Sequence, residues 1–297
     1  MAFMKRIFLF LLTNIAVVAV FMTVVSVFGI DTMYLTPNGL NLQALAIVAL
    51  FFGMISSIVS LLLSKPMAKW MMGVQFINSP QNRQEEELVQ MVKHMSDQAG
   101  VGMPDVGIYP SPEVNAFATG WRRNHALVAV SSGLLQSMNK DQLEGVLAHE
   151  MAHVRNGDMV TMTLIQGVIN AFIIFGARIA AYAVMQVMGR NNEEIGGLAY
   201  WGVSILFEIF FGLAASTIVM AFSRWREFGA DYGGAQLSSK KKMIAALEFL
   251  QAHHQVDNRQ KSFATMKMNG ESAFMKLFSS HPPLEKRIMA LQAAPLN

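Results

Sequence analysis

His149 and His153 stand four residues apart, with Glu150 directly after the first, in the run His149-Glu150-Met151-Ala152-His153. On an α-helix, positions i and i+4 lie one above the other on the same face. Two imidazoles so placed can both reach one tetrahedral zinc ion, at roughly 2.0–2.1 Å per nitrogen. The Glu150 carboxylate, beside the first ligand, can take a proton from a water activated at that metal, which is the chemistry of a zinc metallopeptidase. The competing reading is a helix with two surface histidines.

The flanking residues bear on that choice. Leu143, Val146, Leu147 and Met151 recur at helical spacing, and Asn139 suits an N-cap, so a helix is predicted over Lys140–Val154. Gly157-Asp158 is predicted to break or bend the chain just after His153.

A catalytic zinc needs a third protein ligand and one position open to water. Glu227 and Asp231, in the run Ser223 to Asp231, are again four apart and share one helical face. One of these carboxylates can ligate zinc while the other accepts a hydrogen bond from a ligand imidazole. Alternatively, they form a solvated acidic face beside two arginines. His281, in Ser280-His281-Pro282-Pro283, could stabilise the oxyanion of a tetrahedral intermediate, or be a loop histidine near a helix start. His94, His125, His253 and His254 show no ligand spacing and read as surface residues.

The chain that must position these groups has 297 residues, of which 53% are hydrophobic and only 14% charged. That balance suits a membrane protein rather than an ordinary soluble domain. A net charge of +3, with no basic patch interleaved with aromatics, argues against nucleic acid. The absence of cysteine excludes disulfides, a thiol nucleophile and cysteine-rich zinc fingers.

Four apolar runs are long enough to span: about Ile7–Ile30, Leu42–Leu63, Met159–Met188 and Ile195–Phe222. The first is too long for a signal peptide and lacks a good cleavage site. The last two could instead form a buried core hairpin. Lys5, Arg6, Lys65, Lys69, Arg224 and Arg226 flank the spans on what is then the cytoplasmic side, whereas the loop Asp31–Asn41 has no lysine or arginine. The division is therefore 1–63 (two spans), 64–158 (first polar block), 159–222 (a spanning hairpin) and 223–297 (second polar block).

Within the first block a helix is expected at about Pro80–Ala99, then extended segments at Asp105–Tyr109, Glu113–Thr119 and His125–Val130. Helices are expected in the second block at about Arg224–Leu237, Lys242–His253 and Pro283–Leu291. Arg178 and Glu208 are the charges well inside the hairpin, about equally far from its turn Gly189–Glu194. They are expected at one depth, as an intramembrane ion pair.

Five stretches carry a family resemblance: Asn115-Ala116-Phe117-Ala118, Leu147 to His153, Asn156 to Met162, Ser223 to Asp231, and Ser280 to Pro283. In these, and in the order of its spans, the chain resembles the HtpX-type heat-shock membrane zinc metalloproteases of bacteria, related to the CAAX prenyl endopeptidases. The resemblance implies an α-helical membrane protein with four transmembrane helices and an α/β zincin-like (gluzincin) metalloprotease domain. It implies one zinc ion per chain held by His149, His153 and Glu227, Glu150 as base, and Asp231 behind a ligand. It implies that Asn115-Ala116-Phe117-Ala118 forms an edge strand that pairs with the substrate backbone. The implied setting is the bacterial inner membrane with the protease domain facing the cytoplasm, in contact with lipid. The implied partners are unfolded or misassembled membrane proteins as substrates, with cooperation from other membrane proteases and no nucleic acid. Two rivals remain: a prenyl-type processing peptidase, and a non-enzymatic transporter or adaptor with structural zinc.

Overall fold

Asn139 accepts the Gln142 N–H through its side chain, and the Gln142 side chain accepts the Asn139 N–H in return. This capping box starts the helix Lys140–Asn156, which ends on Gly157 at φ 70°. The expected break at Gly157-Asp158 is a redirection. One left-handed glycine turns the chain, and the next helix begins at Asp158.

The computed structural model describes residues 29–37, 39–188, 197–264 and 281–295. The first apolar run, apart from residues 29 and 30, and the turn Gly189–Glu194 lie outside them. In chain order the main elements are α1 (Leu42–Met72), β1 (Gln75–Phe76), α2 (Arg83–Ala99), β2 (Asp105–Tyr109), β3 (Ala116–Gly120), β4 (Ala126–Ser131), α3 (Ser132–Ser137), α4 (Lys140–Asn156), α5 (Asp158–Val187), α6 (Leu198–Leu237), α7 (Lys240–Ala264) and α8 (Leu284–Ala293). They fall into two units, Met1–Ser56 with Gln166–Ala215, and Ser57–Ile165 with Ser216–Asn297.

Among the described residues three helices, α1, α5 and α6, are long and apolar enough to cross a bilayer. In the first unit, α1 and α5 meet through small residues. A Cβ on Gly53 would lie 2.5 Å from the Ala171 nitrogen and 2.7 Å from the Gly167 oxygen. Such close backbone approach is how helices associate where lipid removes the hydrophobic drive. Side chains such as Ile47 and Phe172 stay exposed, as a lipid-facing surface requires.

Two spans run on, without a break, into the polar segments that follow them. Composition ends the second span at Leu63 and the fourth at Phe222, yet α1 continues to Met72 through Pro66 and α6 continues to Leu237. Polar residues end a span without ending a helix, because helix propensity is indifferent to the bilayer. One unbroken helix therefore carries both the last apolar run and Glu227.

The second unit is built on a four-stranded sheet of order β1-β2-β4-β3. β2 and β4 are parallel, and the outer pairs are antiparallel. β4 is buried along its whole length. Its Val128 and Val130 pack with Leu88, Val92 and Met95 of α2 and with Leu147 and Met151 of α4. Each such side chain contributes roughly 1.5–3 kcal/mol when removed from water. The segment expected as a strand over Glu113–Thr119 pairs only from Ala116. The Ser131 hydroxyl donates to the Glu113 carbonyl at 2.6 Å and accepts the Asn115 N–H at 3.2 Å, holding that lead-in as a turn.

Candidate metal centre

α4 presents His149 and His153 on one face, and α6 brings Glu227 to meet them. The two imidazoles and the carboxylate form a triangle in which each nitrogen faces a different carboxylate oxygen. His149 Nε2 lies 3.2 Å from His153 Nε2 and 3.5 Å from Glu227 Oε2, and His153 Nε2 lies 3.4 Å from Glu227 Oε1. Ligands about 2.05 Å from a tetrahedral zinc stand roughly 3.3 Å apart. The spacing of the group is therefore of the right size for the ion, with two imidazole nitrogens and one carboxylate as donors.

The outer nitrogens are also occupied. His149 Nδ1 lies 3.0 Å from Asp231 Oδ1, and His153 Nδ1 lies 2.6 Å from Asp158 Oδ2. Each Nδ1–H donates to a carboxylate, which leaves the Nε2 lone pair aimed at the centre and makes the imidazole a better ligand. Burial alone would lower the His153 pKa, but the hydrogen bonds to Asp158 and Glu227 outweigh it and push it up to about 9. Burial would raise the Glu227 carboxyl, yet its bonds with His149, His153 and His281 hold it far below the usual carboxylate range. Proton and metal compete for the same nitrogens in such a site.

α8 supplies a residue that spacing arguments about acids and histidines miss. Arg287 is buried and forks onto Asp231, with Nε donating to Oδ2 at 2.7 Å and Nη2 to Oδ1 at 2.6 Å. Its Nη1 lies 3.1 Å from Glu227 Oε2. One guanidinium thus neutralises two buried carboxylates in a bidentate geometry that lysine cannot supply. The readable signal was Leu284, Arg287, Ile288 and Leu291, a spacing that sets the arginine on the apolar face of a short helix. Asp158 was missed because it follows the glycine turn, outside the helix that carries its partner. Arg226 anchors that turn, donating from Nη1 to the Asp158 carbonyl at 3.0 Å.

Glu150 is half-buried on α4, and its charge acts on both His153 and Arg287. His281 is 61% exposed, with Nδ1 2.7 Å from Glu227 Oε2. The structure thus brings His149, Glu150, His153, Glu227, Asp231 and His281 to one place. Asn115 to Ala118 lie at and just before β3, an edge strand among the described residues, which packs on α4. His94, His125 and His253 are exposed and outside the cluster.

Close backbone approach makes the meeting of α4 and α6 possible. A Cβ on Gly234 would stand 3.0 Å from the His149 nitrogen and 3.2 Å from the Ala148 carbonyl carbon. Glu227, Asp231 and Gly234 fall on one face of α6, so a bare glycine backbone sets how near the two carboxylates come to the histidines.

Residues 82–294 match the family model described as Peptidase family M48. Protease HtpX of Alcanivorax borkumensis is 50% identical over 294 residues, covering 97% of this chain and 98% of that protein. Protease HtpX of Tolumonas auensis is 52% identical over 298 residues, covering 97% of this chain and 99% of that protein. Among solved structures, that titled "Crystal Structure of S. mikatae Ste24p" superposes with a TM-score of 0.61 at 18% identity, over 98% of this chain. This chain spans 65% of the length of that one, and the likeness concerns the fold alone. With a family match over most of its length and half its residues shared with HtpX proteases, the chain belongs to peptidase family M48 and is a membrane metalloprotease of the HtpX type.

Proposed function

We propose that the chain is a zinc-dependent endopeptidase of the bacterial inner membrane that cleaves misfolded or damaged membrane proteins on the cytoplasmic side. The observation that carries the zinc reading is the triangle of His149, His153 and Glu227, with a carboxylate behind each imidazole. Bound zinc would supply a Lewis acid that polarises the scissile carbonyl and lowers the pKa of water to roughly 7.

The chain's own residues do the rest. His149, His153 and Glu227 hold the ion, and Asp231 and Asp158 fix the two imidazole tautomers. A Glu150 carboxylate oxygen takes the proton of the attacking water and later delivers it to the leaving amine nitrogen. His281, tied to Glu227 through Nδ1, offers Nε2 to the developing oxyanion.

β3 supports a sequence-tolerant mode of substrate binding. It is an edge strand whose neighbour among the described residues is β4. The Asn115 carbonyl accepts the Ser131 N–H at 2.9 Å. By the alternation of antiparallel pairing, Asn115, Phe117 and Thr119 then turn their backbone groups to β4, and Ala116 and Ala118 turn theirs outward. A substrate strand would pair with those two alanines through main-chain hydrogen bonds, whatever its side chains. That tolerance fits a quality-control protease working on varied unfolded segments.

The test is hydrolysis of casein by the purified, zinc-loaded chain. Hydrolysis abolished by a chelator and restored by zinc is expected, and hydrolysis indifferent to the chelator would overturn the reading. Orientation is tested by side-specific labelling of one cysteine placed in the turn Gly189–Glu194, against a background free of native cysteine. Labelling from the periplasmic side is expected, and labelling from the cytoplasmic side would reverse the topology.

A further inference from the structure

A cleft of about 520 Å³ lies away from the metal ligands, between the β3–β4 connection, the end of α4 and the first turn of α5. Arg122, Arg123 and His125 line one wall, and Asn156, Val160 and Thr161 line the other. The volume suits a small polar group rather than a single ion. The basic wall is ordered. The Arg122 guanidinium sits 4.3 Å over the Trp121 ring, on which His125 also stacks at 5.1 Å. Arg123 donates from Nη2 to the Asn156 carbonyl at 3.3 Å, which fixes it against the end of α4.

Neither arginine has a carboxylate partner among the described residues. The nearest acid in sequence on α5, Asp158, is already committed to His153 and Arg226. Arg122 and Arg123 are both exposed, unlike the buried Arg287, which Asp231 and Glu227 neutralise. Two adjacent unneutralised guanidiniums beside a cleft therefore form a site for an anion.

The position of the cleft selects the anion. α5 is one of the helices apolar enough to cross a bilayer, and its first exposed large apolar side chain is Leu164. Thr161 and Val160 precede it by three and four residues, about 4.5–6 Å along the axis at 1.5 Å per residue. The headgroup layer on each side of a bilayer is roughly 5–7 Å deep. The cleft is thus level with phosphates, not acyl chains. A tryptophan beside paired arginines is also the residue pattern of that depth.

From this geometry we propose that the cleft formed by Arg122, Arg123, His125 and the first turn of α5 binds the headgroup of an anionic phospholipid. The proposal rests on α5 entering the membrane and is independent of the peptidase chemistry. Occupation would seat the β3–β4 hairpin, and with it the edge strand β3, on the membrane surface.

The test uses the full-length chain in detergent with phosphatidylglycerol or phosphatidylethanolamine added, lipid retention being read by native mass spectrometry. Wild type should retain phosphatidylglycerol in preference. Each basic residue near an anionic surface is worth roughly a 5-fold change, so Arg122→Gln should lower retention about 5-fold and the Arg122→Gln/Arg123→Gln double variant about 30-fold. Arg123, not Arg122, donates to the Asn156 carbonyl, whereas Arg122 sits over Trp121, so the single variant reads the site even if loss of Arg123 loosens the end of that helix. Arg83→Gln, at a 91% exposed side chain on α2, should leave retention unchanged. Retention unaffected by both variants would overturn the proposal. Displacement of the lipid by millimolar inorganic phosphate or by polyglutamate would overturn it too, by showing a site for soluble anions. Zinc content and casein hydrolysis in detergent should not change in Arg122→Gln, which separates this outcome from failure of the peptidase reading.

Discussion

Arg178 Nη1 lies 2.7 Å from Glu208 Oε1, joining α5 to α6 within their apolar stretches. Both residues are buried, and the Arg178 guanidinium also sits 4.6 Å over the Trp201 ring. The pairing fits their similar distances in sequence from the segment between the helices, since antiparallel helices bring such residues to about one depth. A lone charge at such depth costs at least about 2.5–3.5 kcal/mol. Arg178→Glu and Glu208→Arg should each reduce accumulation in the membrane, and the double swap should recover much of the loss. A double variant as poor as the two singles combined would show that the contact does not hold the hairpin.

Glu150→Gln should abolish hydrolysis while zinc stays near one per chain, because Glu150 lies beside the triangle of donor atoms and not in it. Metal analysis beside casein turnover checks this. Activity near wild type in that variant would remove Glu150 from the mechanism.

Glu227→Ala should lose both metal and turnover, since it removes one corner of the triangle. Asp231→Asn and Asp158→Asn should each weaken zinc about 10–100-fold and leave the three donors in place. Zinc titration against a competing chelator separates these classes. Equal losses in all three variants would mean that the carboxylates behind the imidazoles ligate as strongly as Glu227.

The legible part of this site was what helical periodicity could express. His149 with His153, and Glu227 with Asp231, each declare a shared face by their spacing of four. Spacing could not say which carboxylate joins the triangle, because both point the same way. The choice is made by the approach of α6 to α4, which brings Glu227 between the two imidazoles and leaves Asp231 behind His149. Asp158 depends on the direction the chain takes after Gly157, and a glycine in the sequence does not state its own φ. The continuity of α1 and α6 beyond their apolar runs was hidden for a different reason. Hydropathy reports the solvent around a helix and not where its hydrogen bonding stops.

Arg287→Lys should keep the positive charge but lose the fork onto Asp231, and Arg287→Ala should leave two buried carboxylates without their cation. Removing one partner of a buried ion pair costs about 3–5 kcal/mol. Thermal unfolding in detergent should therefore fall in the order wild type, Arg287→Lys, Arg287→Ala. A lysine variant as stable as wild type would show that charge alone, without the bidentate geometry, supports Asp231.

The last prediction sets two glycines of α6 against each other. Gly229 is exposed, and a Cβ there meets nothing within 4 Å. Gly229→Ala should stabilise the helix by up to about 1 kcal/mol, the helix-propensity difference between the two residues. Gly234 has the same helical backbone and so the same intrinsic gain on offer. Its Cβ, however, would stand 2.9 Å from Met243 Sδ, 3.0 Å from the His149 nitrogen and 3.2 Å from the Ala148 carbonyl carbon. The methionine can swing aside, but the backbone of α4 cannot, and overpacking of this kind typically costs about 1–3 kcal/mol. Relief would come from α6 moving away from α4, which widens the gap between Glu227 and the imidazoles. Gly234→Ala should therefore lower both the unfolding temperature and zinc affinity, while Gly229→Ala raises the first and leaves the second alone. If Gly234→Ala bound zinc as tightly as wild type, the distance between α4 and α6 would not be what sets the metal centre.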